Sequence, residues 1–189
     1  LRGDAVLRGF DEDVRSALTQ AMRKRGVEIV CDTTVRDVEK RGEGLSLLLS
    51  NDETLEVDAV LFATGRAPNT QGIGLAEAGV ELDAGGAVVV DASSRTSVES
   101  VFAVGDCTDR MNLTPVAIAE GRAVAELLFR NGTRVVEHAL VPSAVFSQPP
   151  VATVGLCERR ARAKYEAVDV YVSSFRPMQN TLSGRDEHT

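Results

Sequence analysis

The segment from Val101 to Arg122 contains the residues best suited to bind a ligand. An apolar stretch ends at Gly105, where the backbone can approach a ligand closely, and the carboxylate of Asp106 can accept hydrogen bonds from sugar hydroxyls. Eight residues later, Thr114 and Pro115 begin a helix, whose N-terminal N–H groups stabilise anionic charge by about 0.3–2 kcal/mol. Because both groups follow the carboxyl end of a strand, the segment predicts a cofactor site.

The elements that must position these residues follow from hydrophobic periodicity and turn residues. One helix, capped by Thr114, is predicted to end at Asn131-Gly132, and an earlier helix runs from its capping residue Asp11 to Gly26. Ala59–Ala63 is continuously apolar, which is typical of a strand buried on both faces. The other strands predicted in this part are Val27–Cys31, Thr34–Val38 paired with Leu45–Leu49 in a hairpin, Thr54–Val57, Ala87–Val90 and Ser100–Val104.

The pattern changes after a linker at residues 135–142. The elements predicted beyond it are shorter: strands at 144–146, 151–155 and 168–173, and a helix near 158–165. An α+β region is therefore expected to follow an α/β region.

Composition excludes several classes of function. The 189 residues carry a net charge of −7, so the chain lacks the basic surface that nucleic acid or anionic membrane requires. Neither a membrane span of about 20 apolar residues nor a signal peptide is found, and a cytoplasmic protein is expected. The three cysteines are too scattered for a redox pair, and both histidines are expected at the surface, so no metal site is predicted (Cys31, Cys107, Cys157; His138, His188).

A glycine-rich loop for dinucleotide phosphates is not predicted. The nearest pattern, residues 72–77 (G-I-G-L-A-E), has glutamate where the third glycine belongs and follows no strand directly. Phosphate binding by such a loop is therefore not expected in this sequence.

Three segments together resemble the glutathione reductase family of pyridine nucleotide-disulfide oxidoreductases. Gly105-Asp106 followed by Leu113–Arg122 (L-T-P-V-A-I-A-E-G-R) resembles the second FAD-binding segment of that family. Ala63–Asn69 (A-T-G-R-A-P-N) resembles the point where its NADPH domain returns to its FAD domain, and Val145–Leu156 resembles the opening of its dimer-interface domain. The resemblance extends over essentially the whole chain, in the order of the family.

The resemblance implies the fold class: α/β, part of a Rossmann-like FAD/NAD(P)-binding two-domain fold, followed by the start of an α+β dimerisation domain. The expected divisions are the C-terminal part of an NADPH domain at 1–69, the second segment of an FAD domain at 70–138, and a truncated interface domain at 139–189. Because Leu1 is not a methionine and Thr189 lies in a polar run, the chain is interpreted as a C-terminal fragment.

The resemblance also implies the cofactor contacts. Asp106 would bind the ribityl or ribose hydroxyls of FAD, and the backbone N–H of Thr114 would face the flavin pyrimidine. Of the residues near both cofactors, Leu113 and Arg66 are assigned to FAD, and Gly65 and Asn112 to NADPH.

Three arginines complete the implied site. In the family, two arginines at the spacing of Arg2 and Arg8 bind the 2′-phosphate of NADPH, and guanidinium groups suit phosphate. Arg122 matches a position that contacts glutathione. Without the resemblance, each would be interpreted as an exposed arginine.

The implied reaction passes electrons from NADPH through FAD and a redox-active disulfide to glutathione disulfide, in a homodimer. Neither the cysteine pair nor the acid-base histidine of that reaction is recognised here, so the chain alone is expected to be inactive and no catalytic residue is assigned. Three alternatives stay open: a dihydrolipoamide dehydrogenase-like enzyme, a mercuric reductase-like enzyme, and a non-catalytic binding or dimerisation module. The Arg2 and Arg8 pair and residues 174–186 favour glutathione reductase.

Overall fold

The structure is a computed structural model that describes residues 1–186 and 188. The chain divides into two compact units, one made of Leu1–Leu61 with Ala144–Thr189 and the other of Phe62–Ser143. Within the described residues, no helix is both long enough and apolar enough to cross a membrane.

Helix α1 (Glu12–Lys24) belongs to the first unit and confirms the helix predicted there. Acidic residues in its first turn and basic residues in its last turn complement the helix dipole. Asp11 occupies the N-cap position, but its carboxylate does not cap α1. It accepts a hydrogen bond of 2.9 Å from the backbone N–H of Glu158, the first residue of α3 (Glu158–Lys164). The predicted cap on α1 is therefore wrong, and Asp11 satisfies the N-terminus of another helix.

The first unit also contains an antiparallel meander of β1 (Val35–Arg41), β2 (Gly44–Leu49) and β3 (Thr54–Val57). This arrangement confirms the predicted hairpin and the strand that follows it. Leu47 and Leu49 of β2 are buried, so the central strand supplies the apolar face of the sheet. The remaining elements of this region are short: the paired strands β4 (Ser143–Val145) and β5 (Val151–Thr153), helix α3, and α4 (Met178–Ser183).

The second unit is organised around α2 (Thr114–Arg130) and a 3₁₀ helix at Gly105–Thr108. Helix α2 ends at Arg130, and its C-cap residue, Asn131, adopts a left-handed conformation, as the predicted Asn-Gly stop requires. The buried apolar side chains of this unit are Val80, Ala87, Val88, Val116 and Ala123.

Several predicted strands do not form. Val27–Cys31, Ala59–Ala63 and residues 168–173 have no strand structure, and Leu61, in the middle of the run predicted to be buried on both faces, is 90% exposed. An apolar run becomes a strand only where a neighbouring strand takes its backbone hydrogen bonds, and no described strand does so for these three. Two further predicted strands, Ala87–Val90 and Ser100–Val104, each form only a single β-bridge, Val88 with Leu82 and Phe102 with Arg95.

Candidate cofactor-binding site

The turn that presents Asp106 is a compact 3₁₀ helix. Gly105 begins it with φ +72°, and the hydroxyl of Thr108 donates to the carbonyl of Gly105 at 2.8 Å. The side chain of Asp106 is half exposed, and its carboxylate lies 3.6 Å from the guanidinium of Arg66. The structure therefore brings together two of the predicted site residues, and the exposed pair leaves carboxylate oxygens free to accept further hydrogen bonds.

The backbone of this turn is hydrogen-bonded to a buried carboxylate. Glu120, on α2, is 2% exposed, and its Oε2 accepts a hydrogen bond of 2.7 Å from the backbone N–H of Gly105. Its Oε1 lies 2.8 Å from Nη2 of Arg110 and 2.7 Å from Nε2 of His138. Each carboxylate oxygen thus has a partner, as a buried charge requires.

Arg110 connects Glu120 and the 3₁₀ helix to the loop that contains Ser94. Its guanidinium donates to the hydroxyl of Ser94 at 2.9 Å and to the hydroxyl of Thr108 at 3.3 Å. Ser94 is itself buried, with φ +63°. The turn around Asp106 is therefore positioned by polar contacts that converge on one glutamate.

Gly105 is required for packing as well as for conformation. A Cβ atom added at this position would lie 2.9 Å from Cβ of Ala117, in the first turns of α2. The sequence predicted that this glycine lets a ligand approach the backbone, whereas the group that approaches it here is a helix of the same unit.

We expect Gly105→Ala to lower the free energy of unfolding by about 2 kcal/mol or more, because it adds both a positive-φ side chain and a steric overlap. Adding Ala117→Gly removes the overlap but places a glycine in α2, which costs about 0.5–1 kcal/mol, so the double variant should be no less stable than Gly105→Ala alone. Gly121→Ala is the matched control: nothing lies within 4 Å of its added Cβ, so it should not destabilise. Urea unfolding of the three variants measures these differences, and equal midpoints for Gly105→Ala and Gly121→Ala would contradict the prediction.

The N-terminus of α2 differs from its predicted form. Leu113, not Thr114, is the N-cap residue, so the predicted threonine cap is wrong and Pro115 occupies the second helical position. The carbonyl of Leu113 accepts hydrogen bonds from the N–H groups of Val116 and Ala117. Within the described chain, no acceptor is found for the N–H of Thr114, which is left available to an anionic or carbonyl ligand.

The other predicted site residues of the second unit are exposed. Gly65 has φ +133°, a conformation that favours glycine. Asn112 donates to the carboxylate of Asp109 at 2.8 Å, which fixes the loop that leads into α2. Arg122 is exposed on α2.

Arg2 and Arg8 belong to the first unit and lie at the two ends of the loop that precedes α1. Both side chains are exposed, and neither pairs with a carboxylate of the described residues. The positive charge of both is therefore available to an anion.

The sequence prediction missed three residues of this network. His138, expected at the surface, is only 27% exposed and contacts Glu120, so that expectation is wrong. Glu120 lies one turn from Val116 and one turn from Ala123, both buried, and this helical spacing could have indicated a buried carboxylate. Arg110 also contacts Ser94, which lies in a loop whose position the sequence pattern does not reveal.

Comparison with known proteins gives two family matches. Residues 1–121 match the family described as pyridine nucleotide-disulphide oxidoreductase, and residues 141–189 match the dimerisation domain of the same family. Glutathione reductase of Burkholderia cepacia is 50% identical over 98% of this chain and 41% of its own length. The glutathione reductase of Pisum sativum is 44% identical over 97% of this chain and 34% of its own length. Trypanothione reductase of Leishmania donovani is 43% identical over 97% of this chain and 38% of its own length.

Solved structures agree with these matches. The HOCl-induced flavoprotein disulfide reductase RclA from Escherichia coli aligns with a TM-score of 0.88 and 26% identity, over 98% of this chain and 43% of its own. LpdA from Mycobacterium tuberculosis aligns with a TM-score of 0.82 and 28% identity, over 97% of this chain and 40% of its own. The chain thus spans about two fifths of the length of these relatives. The similarity confirms the predicted class: a flavoprotein disulfide reductase fold followed by dimerisation-domain sequence.

Proposed function

Because this chain belongs to the pyridine nucleotide-disulphide oxidoreductase family, we propose that it forms part of an FAD-dependent enzyme that uses NADPH to reduce glutathione disulfide. The observation that carries the proposal is the 43–50% identity to glutathione reductases along 97–98% of the chain. The flavin, when bound, supplies two-electron chemistry between a pyridine nucleotide and a disulfide.

The second unit offers the groups that the FAD would need. Asp106 binds ribityl or ribose hydroxyls, since its half-exposed carboxylate retains acceptor capacity. The N–H of Thr114, at the positive end of α2, donates to the flavin pyrimidine, and the helix dipole stabilises negative charge there. Leu113 and Arg66 line the same cofactor.

NADPH and the disulfide are bound by the remaining assigned residues. Arg2 and Arg8 bind the 2′-phosphate, and Gly65 and Asn112 lie against the nicotinamide side. Arg122 binds a carboxylate of glutathione disulfide, a contact suited to a guanidinium. The domain divisions at 1–69, 70–138 and 139–189 belong to the same proposal.

The proposed enzyme is a cytoplasmic homodimer. The match of residues 141–189 to a dimerisation domain supports the dimer. The three cysteines of the described chain are free thiols, which fits a reducing compartment.

A second candidate substrate is trypanothione disulfide, because trypanothione reductases of Leishmania donovani and Trypanosoma congolense are 43% and 40% identical to the chain. The exposed guanidinium of Arg122 favours the anionic glutathione disulfide instead. Following NADPH oxidation with each disulfide discriminates between them.

The test uses the protein translated from the whole open reading frame, loaded with FAD. We expect NADPH oxidation that depends on glutathione disulfide, and Arg122→Leu should raise the KM for this disulfide by about 10- to 100-fold, because one charge-assisted contact of about 1.5–3 kcal/mol is lost. The KM for NADPH should not change.

Arg130→Leu, at the other end of α2, is the matched control and should leave both KM values unchanged. No NADPH oxidation with glutathione disulfide would refute the proposed reaction. Activity with an unaltered KM in Arg122→Leu would refute only the assignment of Arg122.

A further inference from the structure

Arg15 is a buried arginine that none of the proposed roles uses. It lies in the first turns of α1, and its side chain is 7% exposed. Its Nη2 donates to the carboxylate of Asp4 at 2.7 Å, and its Nη1 to the carboxylate of Glu12 at 2.6 Å. Its Nε donates to the carbonyl of Val6 at 2.9 Å, and Nη2 also reaches the carbonyl of Ala5 at 3.4 Å. All three nitrogens of the guanidinium are therefore occupied.

Three of these four partners lie between Arg2 and Arg8. Asp4, Ala5 and Val6 form the middle of the loop whose two ends carry those exposed arginines. A planar guanidinium with fixed donor directions constrains all three at once, which a flexible ammonium group does not. The separation and direction of the two loop ends thus depend on Arg15.

The loop backbone requires this support. Leu7 has φ +53° and Gly9 has φ +96°, and the N–H of Phe10 closes a turn onto the carbonyl of Leu7 at 3.1 Å. A leucine in the left-handed region is strained by about 1–3 kcal/mol and persists only where surrounding contacts hold it. The bonds from Arg15 to the residues immediately before Leu7 are such contacts.

Arg15 also changes the charge of the loop. Asp4 lies two residues from Arg2, and its carboxylate would repel a phosphate held there. The carboxylate of Asp4 is ionised at neutral pH, and the hydrogen bond and positive charge of Arg15 hold its pKa below the ordinary value. The charges of Arg2 and Arg8 are then left for the ligand.

We propose that Arg15 is a positioning residue for NADPH selectivity: it holds the loop so that Arg2 and Arg8 converge on one phosphate, and it neutralises the acidic residue between them. This inference rests on the proposed function, which assigns the 2′-phosphate of NADPH to those two arginines.

The experiment measures KM and kcat with NADPH and with NADH in the protein translated from the whole open reading frame. Arg15→Met should raise the KM for NADPH about tenfold, equivalent to about 1.4 kcal/mol, while the KM for NADH and kcat at saturation are retained. Arg15→Lys should recover part of the loss. A purely structural role would affect both coenzymes equally.

Two variants separate positioning from folding. Arg23→Met removes an exposed arginine from the same helix and should change neither KM. Arg15→Lys keeps the positive charge beside Asp4 but loses the fixed donor directions of the guanidinium, so a smaller rise in the KM for NADPH alone is expected even if Arg15→Met does not fold. Unchanged NADPH selectivity in Arg15→Met, or in Arg15→Lys where Arg15→Met does not fold, would overturn the proposal.

The failure of the proposed function has a different signature. An unmodified protein that reduces no disulfide with NADPH refutes the reaction. Calorimetric titration with adenosine 2′,5′-bisphosphate, compared with adenosine 5′-monophosphate, then still tests the loop. If the unmodified protein binds the bisphosphate more tightly than the monophosphate, and Arg15→Met weakens this preference, the role of Arg15 is supported. If the preference is the same in both proteins, the proposed role is overturned.

Discussion

Glu120→Ala is expected to lower the free energy of unfolding of the unit at Phe62–Ser143 by about 3–5 kcal/mol, the usual cost of removing one partner from a buried ion pair. The substitution leaves the N–H of Gly105 without its acceptor, and it deprives Arg110 and His138 of the carboxylate that both contact. It also leaves a cavity, which adds to the loss. Denaturant unfolding of the variant and the unmodified chain measures the difference.

Two companion variants identify the cause of this loss. Glu120→Gln keeps an acceptor for the N–H of Gly105 but removes the charge, so a smaller loss of about 1–3 kcal/mol is expected. Glu126→Gln makes the same change elsewhere on α2 and should stay within about 0.5 kcal/mol of the unmodified chain. If all three glutamate variants unfold at one denaturant concentration, the buried network does not stabilise this unit.

The same network links stability to the candidate cofactor site. Gly105 is bonded to Glu120, and Asp106 follows it directly in the 3₁₀ helix. A change at Glu120 therefore alters the backbone that presents the Asp106 carboxylate, although Glu120 is buried beneath the turn. In the proposed enzyme, Glu120→Gln should weaken FAD binding more than its effect on stability alone would produce.

Elements with strong local signals were predictable from the sequence. Helix α1 has charges at each end that match the helix dipole, and α2 has Pro115 at its start and an Asn-Gly stop at its end. The meander β1–β3 has short turns, at residues 41–44 and at Asn51-Asp52, that pair neighbouring segments. Each of these signals lies within a few residues of the structure that it determines.

Features that depend on distant partners were not predictable. Ala59–Ala63 has the composition of a buried strand, but no described strand pairs with it. Glu120 meets its partners Gly105 and His138 across 15 and 18 residues of chain. Periodicity describes which face of one helix is apolar, and it does not identify the loop that lies against that face.

The same distinction, between local signals and contacts with distant residues, applies to the candidate site. Gly105, Asp106 and the start of α2 were recognisable because their chemistry is local: a turn, a carboxylate and a helix terminus. The residues that hold them in place, Glu120 and Arg110, were not recognised, since a supporting contact has no sequence motif of its own. Arg15 is the corresponding case in the first unit.

Simultaneous replacement of Arg2 and Arg8 by methionine is expected to raise the KM for NADPH by about a hundredfold to ten-thousandfold. Each proposed contact to the 2′-phosphate contributes about 1.5–3 kcal/mol, and every 1.4 kcal/mol changes affinity tenfold. NADH lacks this phosphate, so its KM should stay within about a factor of two, and kcat at saturating NADPH should be retained. Steady-state rates, measured in the protein translated from the whole open reading frame, give the KM and the kcat with NADPH and with NADH.

A matched double variant, Arg159→Met with Arg160→Met, removes two exposed arginines from the same unit and changes the net charge equally. Because neither side chain is assigned to a ligand, its coenzyme preference should equal that of the unmodified protein. An equal rise in the KM for NADPH in both double variants would show that overall charge attracts the coenzyme, as long-range steering does. A rise confined to the Arg2 and Arg8 variant would instead require direct contact with the phosphate, since the two variants differ only in where the charge is lost.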